Sequence, residues 1–333
     1  MAKAKIRGLD CAAPAEKMIP VILRAQVKAM CALREKALNW KDPEGVHDMR
    51  VLSRRLRSTI NDFRPYFRKG SLPRPKLRIL AKKLGDVRDE DVALIALKQL
   101  ASKAKDAAAE GIELIAEERK ARRAQARTDL KDALVESLID EFRKSFLSKL
   151  RGIAVAFPTP TRRQQTAEGD LSFHAFGVQV IKERLKDFTA ASRCLYLPYE
   201  VKDLHELRIL SKRLRYSLEL FSNCLGEDSA KTAKEVANMQ TSLGELHDCD
   251  VWIEHLGLRL KHTARRAAAD PNELKVRAGA MWLLRHFSVT RMEHYRNALA
   301  QWEQWQSDAF LEQLVLTLDR DLSPPKTNVA QPA

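Results

Sequence analysis

The sequence predicts an all-α protein, and three observations support this fold class: the composition, the spacing of apolar residues and an internal repeat. Glycine and proline number only 12 and 13 in 333 residues, whereas Ala, Leu, Lys, Arg and Glu are abundant. Long side chains that are unbranched at Cβ lose little conformational freedom in a helix, so this composition favours helices. Hydrophobic residues make up 45% of the chain, which is enough for a globular core.

Apolar residues recur every three or four positions along most of the chain, as they do on the buried side of a helix. The predicted helices cover residues 19–39, 46–67, 75–101, 103–151, 173–194, 204–224, 231–261 and 272–318. Pro158 and Pro160 mark the main interruption in this pattern. We therefore predict an N-terminal arm (1–18), a first helical repeat (19–151), a linker (152–170), a second helical repeat (171–322) and a Pro-rich, disordered tail (323–333).

Two motifs occur in both halves and in the same order. Residues 47–63 read HDMRVLSRRLRSTINDF and residues 205–221 read HELRILSKRLRYSLELF, with identity at eight of 17 positions. Residues 84–92 (LGDVRDEDV) likewise match residues 243–251 (LGELHDCDV). The two offsets are 158 and 159 residues. We interpret the chain as a tandem duplication whose halves are related by a pseudo-twofold axis.

The first motif places cations on one side of each predicted helix. Spacings of 3, 4 and 3 residues span an arc of about 80° when each residue advances by about 100°. The first basic arc consists of His47, Arg50, Arg54 and Arg57, and the second of His205, Arg208, Lys212 and Arg215. The opposite sides carry the predicted core positions, namely Leu52, Leu56, Ile60 and Phe63, and in the second half Leu210, Leu214, Leu218 and Phe221.

The two basic arcs are interpreted as binding surfaces rather than as ordinary solvated helix faces. Like charges at i,i+4 destabilise a helix by about 0.2–0.5 kcal/mol a pair, yet the arrangement occurs twice. The chain also carries 59 Lys and Arg against 44 Asp and Glu, a formal charge of +15. A surplus of this size indicates an anionic partner, and nucleic acid, an acidic membrane surface and inorganic polyphosphate are the classes to consider.

Further cations are candidates to extend these surfaces. They are Lys82, Lys83 and Arg88, then Arg119, Arg123 and Arg127, and in the second half Arg285, Arg291 and Arg296. Glu117 and Glu118 offer counterions to the Arg119 group, which weakens that assignment.

Acidic residues recur in the second motif, as Asp89 with Asp248 and Asp91 with Asp250. One interpretation is a catalytic or metal-binding pair, and the other is that they orient neighbouring arginines by ion pairing. We favour ion pairing because no second acidic cluster with metal-ligand spacing accompanies them. The histidines show no HExxH signature either. We therefore predict neither an enzyme nor a metal or other cofactor.

The five cysteines, Cys11, Cys31, Cys194, Cys224 and Cys249, are scattered and show no CxxC spacing. They are predicted to be reduced, mostly buried thiols of a cytoplasmic protein. No apolar stretch is long enough to predict an export signal or a membrane span.

The repeated His-x-x-Arg-x-x-x-[Arg/Lys]-Arg-Leu-Arg and Leu-Gly-x-x-[Arg/His]-Asp-x-Asp-Val motifs resemble those of the CHAD family, the conserved-histidine α-helical domains. The resemblance covers about residues 20–318. It implies two four-helix bundles related by a pseudo-twofold axis, with long helices lining a basic groove or cavity. It also implies binding of inorganic polyphosphate and association with polyphosphate granules. The family's functional histidines correspond to His47 and His205, and its basic lining to Arg50, Arg54, Arg55, Arg57, Lys82, Lys83, Arg88, Arg208, Lys212, Arg213 and Arg215.

The chain departs from the family pattern in two respects. Arg88 of the first half is replaced by His247 in the second, so the halves are not expected to bind equally at neutral pH. The ExExK motif of the triphosphate-tunnel domain that accompanies some members is absent, so its phosphohydrolase activity is not expected here.

The predicted function is therefore non-catalytic polyphosphate binding, and two alternatives come from other classes. A DNA- or RNA-binding protein would use the same charge, but no helix-turn-helix, zinc finger or aromatic platform accompanies the arcs. An enzyme acting on phosphate esters or polyphosphate would need a metal site or an activated nucleophile.

Overall fold

The structure, a computed structural model, describes residues 3–67, 72–135, 138–151, 170–226, 228–263 and 270–321. Within these ranges it contains eleven α-helices, two 3₁₀ helices and no β-strand, which confirms the predicted all-α fold. The α-helices are α1 (Ala15–Ala32), α2 (Arg34–Leu38), α3 (Glu44–Phe63), α4 (Arg74–Ala101), α5 (Asp106–Val135), α6 (Leu138–Arg151), α7 (Phe173–Ala191), α8 (Val201–Phe221), α9 (Asp228–Thr263), α10 (Pro271–Ser307) and α11 (Phe310–Asp321).

Three of the predicted helices are each divided in the structure, and the first of them, 19–39, contains most of α1 and all of α2. The span 103–151 contains α5 and α6, and the span 272–318 contains α10 and α11. Ala309, between α10 and α11, adopts a left-handed conformation with φ of 50°. Alanine rarely takes this conformation, and neither glycine nor proline marks the position, so the sequence carries no local signal for the break.

Two predicted segments lie outside the described residues. The linker 152–170 is described only at Asp170, and none of the tail 323–333 is described. None of the helices in the described ranges is long and apolar enough to cross a membrane.

The chain divides into two compact units, and each contains separate stretches of sequence. Unit 1 consists of residues 1–7, 20–154 and 242–297, and unit 2 of residues 8–19, 155–241 and 298–333. The predicted repeats, 19–151 and 171–322, are continuous segments that describe how the sequence is duplicated. The two units describe how the folded chain is packed, so they do not test the bounds of the repeats, which stay a prediction.

In unit 1, α3 contributes the predicted apolar stripe to the core. Leu52, Leu56, Ile60 and Phe63 are all buried. Elsewhere in this unit α5 and α10 cross at two glycines: a Cβ at Gly279 would lie 2.6 Å from the carbonyl carbon of Gly111. The two backbones therefore approach as closely as only glycine permits.

In unit 2, the corresponding stripe of α8 is also buried, at Leu210, Leu214, Leu218 and Phe221. Phe221 packs against Phe173 and Phe176 of α7, with ring centroids 4.9 and 6.0 Å apart. A Cβ at Gly177 would lie 2.5 Å from the Phe221 ring, so this glycine sets the close approach of α7 and α8.

The prediction that all cysteines are reduced was wrong, because Cys11 and Cys224 form a disulfide within unit 2. The two residues are 213 positions apart in sequence, so spacing motifs had no means of pairing them. Backbone hydrogen bonds hold the same stretch in place: Ala15 donates to Leu171 at 2.9 Å and Phe173 donates to Ala13 at 2.8 Å. The N-terminal arm is thus attached to the beginning of α7 and to the end of α8.

Candidate functional site

The first basic arc lies on α3, away from the apolar stripe. His47, Arg50 and Arg54 are half-buried, and Arg57 is exposed. The helix begins at Glu44 and runs unbroken to Phe63, so the 3, 4 and 3 spacing keeps these side chains on one side. The structure therefore brings together the four side chains that the sequence assigned to this arc.

Helix α4 packs beside this arc. A Cβ at Gly85 would lie 3.7 Å from Nε of Arg50, and the Arg50 guanidinium donates to Asp89 at 3.0 Å. Gly85 belongs to the recurring Leu-Gly pair of the second motif. The first half of the chain thus brings its two motifs into direct contact.

The electrostatics show which cations lie near the arc. Desolvation, followed by the charges of Arg78, Arg50 and Arg74, lowers the pKa of Arg57. Arg74 also donates to the side-chain oxygen of Asn61 at 3.0 Å. Arg74 and Arg78 were not predicted, although their i,i+4 spacing with Lys82 was a signal in the sequence.

His47 lies in the same positive environment. Desolvation, followed by the charge of Arg88, lowers the pKa of its imidazole, while Glu44 and Asp48 act in the opposite direction. His47 is therefore held neutral near pH 7. The set formed by α3 and α4 is called the α3–α4 cationic cluster below, and it comprises His47, Arg50, Arg54, Arg57, Arg74, Arg78, Lys82 and Arg88.

Lys82, a member of this cluster, and the predicted residues Lys83 and Arg55, which are outside it, differ in their surroundings. Lys82 is exposed and donates to Asp86 at 2.7 Å. Lys83, two residues before Gly85, falls on the other side of α4 at about 100° per residue. Arg55 is only 9% exposed, so its guanidinium is largely removed from solvent.

The second basic arc lies on α8 in unit 2, and one of its arginines is buried and ion-paired, unlike its counterpart in the first arc. Arg215, the counterpart of Arg57, is 8% exposed and donates to Glu219 and Gln240, both at 2.8 Å. Glu219 corresponds to Asn61 of the first half, so the neutralising carboxylate occurs in one half only. The remaining predicted members, which are His205, Arg208, Lys212 and Arg213, are half-buried.

The Arg119, Arg123 and Arg127 row on α5 is occupied by ion pairs with α4. Arg119 donates to both carboxylate oxygens of Glu90 at 3.2 Å. Arg123 and Arg127 lie 3.4 and 3.3 Å from the buried carboxylate of Asp91. The neutralising acids therefore come from α4, and not from Glu117 and Glu118 of the same helix as suggested by the sequence.

Among the late arginines, Arg291 is buried and lies 2.5 Å from Asp250, whereas Arg285 and Arg296 are exposed. Asp91 and Asp250 thus both contact arginines. This geometry favours the ion-pairing interpretation of the recurring acids.

Three cysteine thiols and one group of a histidine and two carboxylates are the described side chains that most resemble the nucleophiles or metal ligands of an enzyme. Burial raises the pKa of the Cys31 and Cys194 thiols to about 11 and that of Cys249 to about 12, so these thiols are poor nucleophiles. In the described ranges, Glu44, His47 and Asp48 have ligand atoms within 4.8 Å of one another. Asp48, however, already binds Lys36 at 3.0 Å, and the adjacent positive charge of Arg88 opposes a cation here.

Fold and surface together define an all-α protein with a dense cationic cluster on two adjacent helices. The chain belongs to the CHAD family, since residues 21–257 match the CHAD domain. This confirms the resemblance seen in the sequence.

Two solved structures share the fold. The CHAD domain from the plant Ricinus communis is 23% identical, with a TM-score of 0.64 over 90% of this chain and 96% of that one. PptA from Streptomyces chartreusis is 17% identical, with a TM-score of 0.62 over 87% of this chain and 100% of that one. No curated protein sequence is similar enough to this chain to count as a match.

Proposed function

We propose that this protein binds inorganic polyphosphate, without catalysis, through the α3–α4 cationic cluster. The observation that carries the proposal is Arg57, an exposed arginine whose electrostatic neighbours are Arg50, Arg74 and Arg78. Packing like charges together is unfavourable unless a counter-anion is bound. A chain of phosphates supplies negative charge at regular intervals and relieves this repulsion.

The geometry of the cluster suits a flexible linear polyanion. Arginine binds phosphate oxygens through two parallel N–H groups, and six of the eight members of the cluster are arginines. Binding would release counterions, so affinity is expected to fall steeply with salt. We propose further contacts from the second half of the chain, namely His205, Arg208, Lys212 and Arg213. Arg215 is not included, because it is already bound to Glu219.

Family membership and the repeated motifs support the finer parts of the proposal. On this basis we propose that the chain is a duplication that forms two four-helix bundles and that its long helices border a basic groove. We also propose that the protein associates with polyphosphate granules. The proposed cytoplasmic location is weakened by the Cys11–Cys224 disulfide, because disulfides seldom persist in a reducing cytosol.

Nucleic acid is the second candidate ligand. The net charge of +15 favours it equally, but base-specific or single-strand binding normally uses a recognition element or stacking aromatics beside the cations. No Phe, Tyr or Trp occurs between the basic residues of this cluster in the sequence, either in residues 47–57 or in residues 74–88.

A competition titration distinguishes these ligands. Labelled long-chain polyphosphate bound to the protein is challenged with unlabelled polyphosphate or duplex DNA at matched ionic strength and charge concentration. We expect polyphosphate to compete at least about tenfold better, with log affinity falling linearly as log salt rises. Equal or better competition by DNA would overturn the assignment of the ligand.

A further inference from the structure

A second concave site lies in unit 1, formed by α5, α9 and α10 and separate from the α3–α4 cationic cluster. Its volume is about 460 Å³, within the range of small-molecule sites. None of its lining residues belongs to that cluster. The pocket therefore needs its own explanation.

One side of α9 forms a wall of this pocket. Trp252, His255, Arg259 and His262 all line it, and they follow one another at spacings of 3, 4 and 3 residues. This is the spacing of the two basic arcs, and it places the four side chains on one side of the helix. This spacing is visible in the sequence. It was not recognised as a site, because His255 and His262 are not part of a metal-ligand motif.

Two arginines of the pocket are held in place by carboxylates. Arg259 donates to both oxygens of Glu118, one of them at 2.9 Å. Arg119, already paired with Glu90, lies 4.7 Å from the centre of the Trp252 ring. These contacts order the walls of the pocket and neutralise two of its three arginines.

The remaining lining residues form two zones of different polarity. Arg122, His255 and His262 are exposed and provide hydrogen-bond donors at the rim. The buried side chains of Ile115, Leu256 and Val276 provide an apolar floor. An apolar floor beneath a cluster of donors suits a ligand with one anionic end and one flat apolar part.

We propose that this pocket binds a small phosphate monoester that carries a heterocyclic or aromatic group, a molecule of the size of a mononucleotide. Arg122, His255 and His262 contact the phosphate, and the ring packs on the apolar floor. A long polyanion is disfavoured, because two of the three arginines are already paired with carboxylates and Glu273 adds a further negative charge to the lining.

The test is calorimetric titration of the full chain with adenosine 5′-monophosphate, adenosine and inorganic phosphate. We expect saturable binding of the nucleotide at one site, and binding weaker by about tenfold or more for each fragment. Arg122→Glu and the double change His255→Ala with His262→Ala should each weaken nucleotide binding by about tenfold or more. Lys261→Ala is the matched control, since Lys261 is exposed beside His262 but does not line the pocket.

The same variants are then titrated with polyphosphate, and we expect its affinity to be retained. An absence of saturable nucleotide binding at millimolar concentration would overturn the proposal. So would nucleotide binding that the pocket variants leave unchanged and that polyphosphate displaces, because the nucleotide would then occupy the α3–α4 cationic cluster. Failure of polyphosphate to bind the wild type would contradict the proposed function and leave the pocket result intact.

Discussion

Equivalent residues of the two basic arcs have different surroundings, as Arg57 and Arg215 show. Arg57 is exposed and lies among other arginines, whereas Arg215 is buried and bound to Glu219. A repeated cation in the sequence therefore does not have the same role in both halves. The same substitution at Arg57 and at Arg215 should therefore have different effects on binding and on stability.

Arg57→Gln is expected to weaken polyphosphate binding by about tenfold, because a charge-assisted contact to phosphate is lost. The stability of the folded protein should change little, since the side chain is exposed. Arg215→Gln should instead lower the free energy of unfolding by about 3 kcal/mol, because it removes a buried cation that donates to Glu219 and Gln240. Fluorescence titration and urea unfolding of both variants check this prediction, and it fails if the two variants behave alike.

His47 is expected to link polyphosphate binding to pH. Desolvation and Arg88 lower its pKa, so the imidazole of the free protein is neutral near pH 7. A bound polyanion favours the charged form and raises the pKa, so binding takes up a proton. Affinity should therefore increase as pH falls below the ordinary histidine pKa of about 6.5, as measured by titrations between pH 8 and pH 5.5.

His47→Gln is the control for this effect. The variant should lose most of the gain in affinity at low pH, and a pH dependence as steep as that of the wild type would contradict the role of His47. The stability of the free protein should depend on pH in the opposite direction to its affinity for polyphosphate. Because the folded-state pKa is lowered, protonation favours the unfolded chain, and the free protein should lose stability as pH falls below about 6.5.

At the scale of elements, the helices and their apolar stripes were predictable because both depend on local spacing. The stripe from Leu52 to Phe63 was predicted from periodicity alone and is buried. The break at Ala309 was not predictable, because neither glycine nor proline marks this left-handed position in the sequence. The ion pairs of the α5 arginines with Glu90 and Asp91 depend on which helix lies beside α5, which local spacing does not reveal.

The crossing of α5 and α10 depends on two glycines. Gly279→Ala should lower the free energy of unfolding by about 2 kcal/mol, since the added Cβ would lie 2.6 Å from the backbone of Gly111. Gly257→Ala is the control on α9, where a Cβ meets nothing within 4 Å. That change should stabilise the protein by about 1 kcal/mol through helix propensity. Urea unfolding measures both changes. A loss of stability in Gly257→Ala would contradict the open space found around a Cβ at this position.

At the scale of the whole molecule, the disulfide between Cys11 and Cys224 is the longest-range covalent constraint in the described residues. It closes a loop of 213 residues and should contribute up to about 5 kcal/mol by restricting the unfolded chain. Replacing both cysteines by serine should lower the urea midpoint accordingly. Reductant should lower the midpoint of the wild type but not that of the double variant.

A thiol count provides an independent check. Under non-reducing, denaturing conditions three free thiols are expected, from Cys31, Cys194 and Cys249. Five free thiols would contradict the disulfide and restore the reduced state that the sequence suggested.

The sequence by itself determined the helical fold, the apolar stripes, the duplicated motifs and the two basic arcs, because each follows from the identity and spacing of residues along one helix. The tertiary structure alone decided which cations are neutralised and which are clustered. It did so by placing Glu219 and Gln240 in contact with Arg215, and by bringing Arg74 and Arg78 near enough to Arg57 to lower its pKa. The physical reason is that the charge presented to a ligand depends on distances between side chains that are far apart in sequence, and only the folded chain sets those distances.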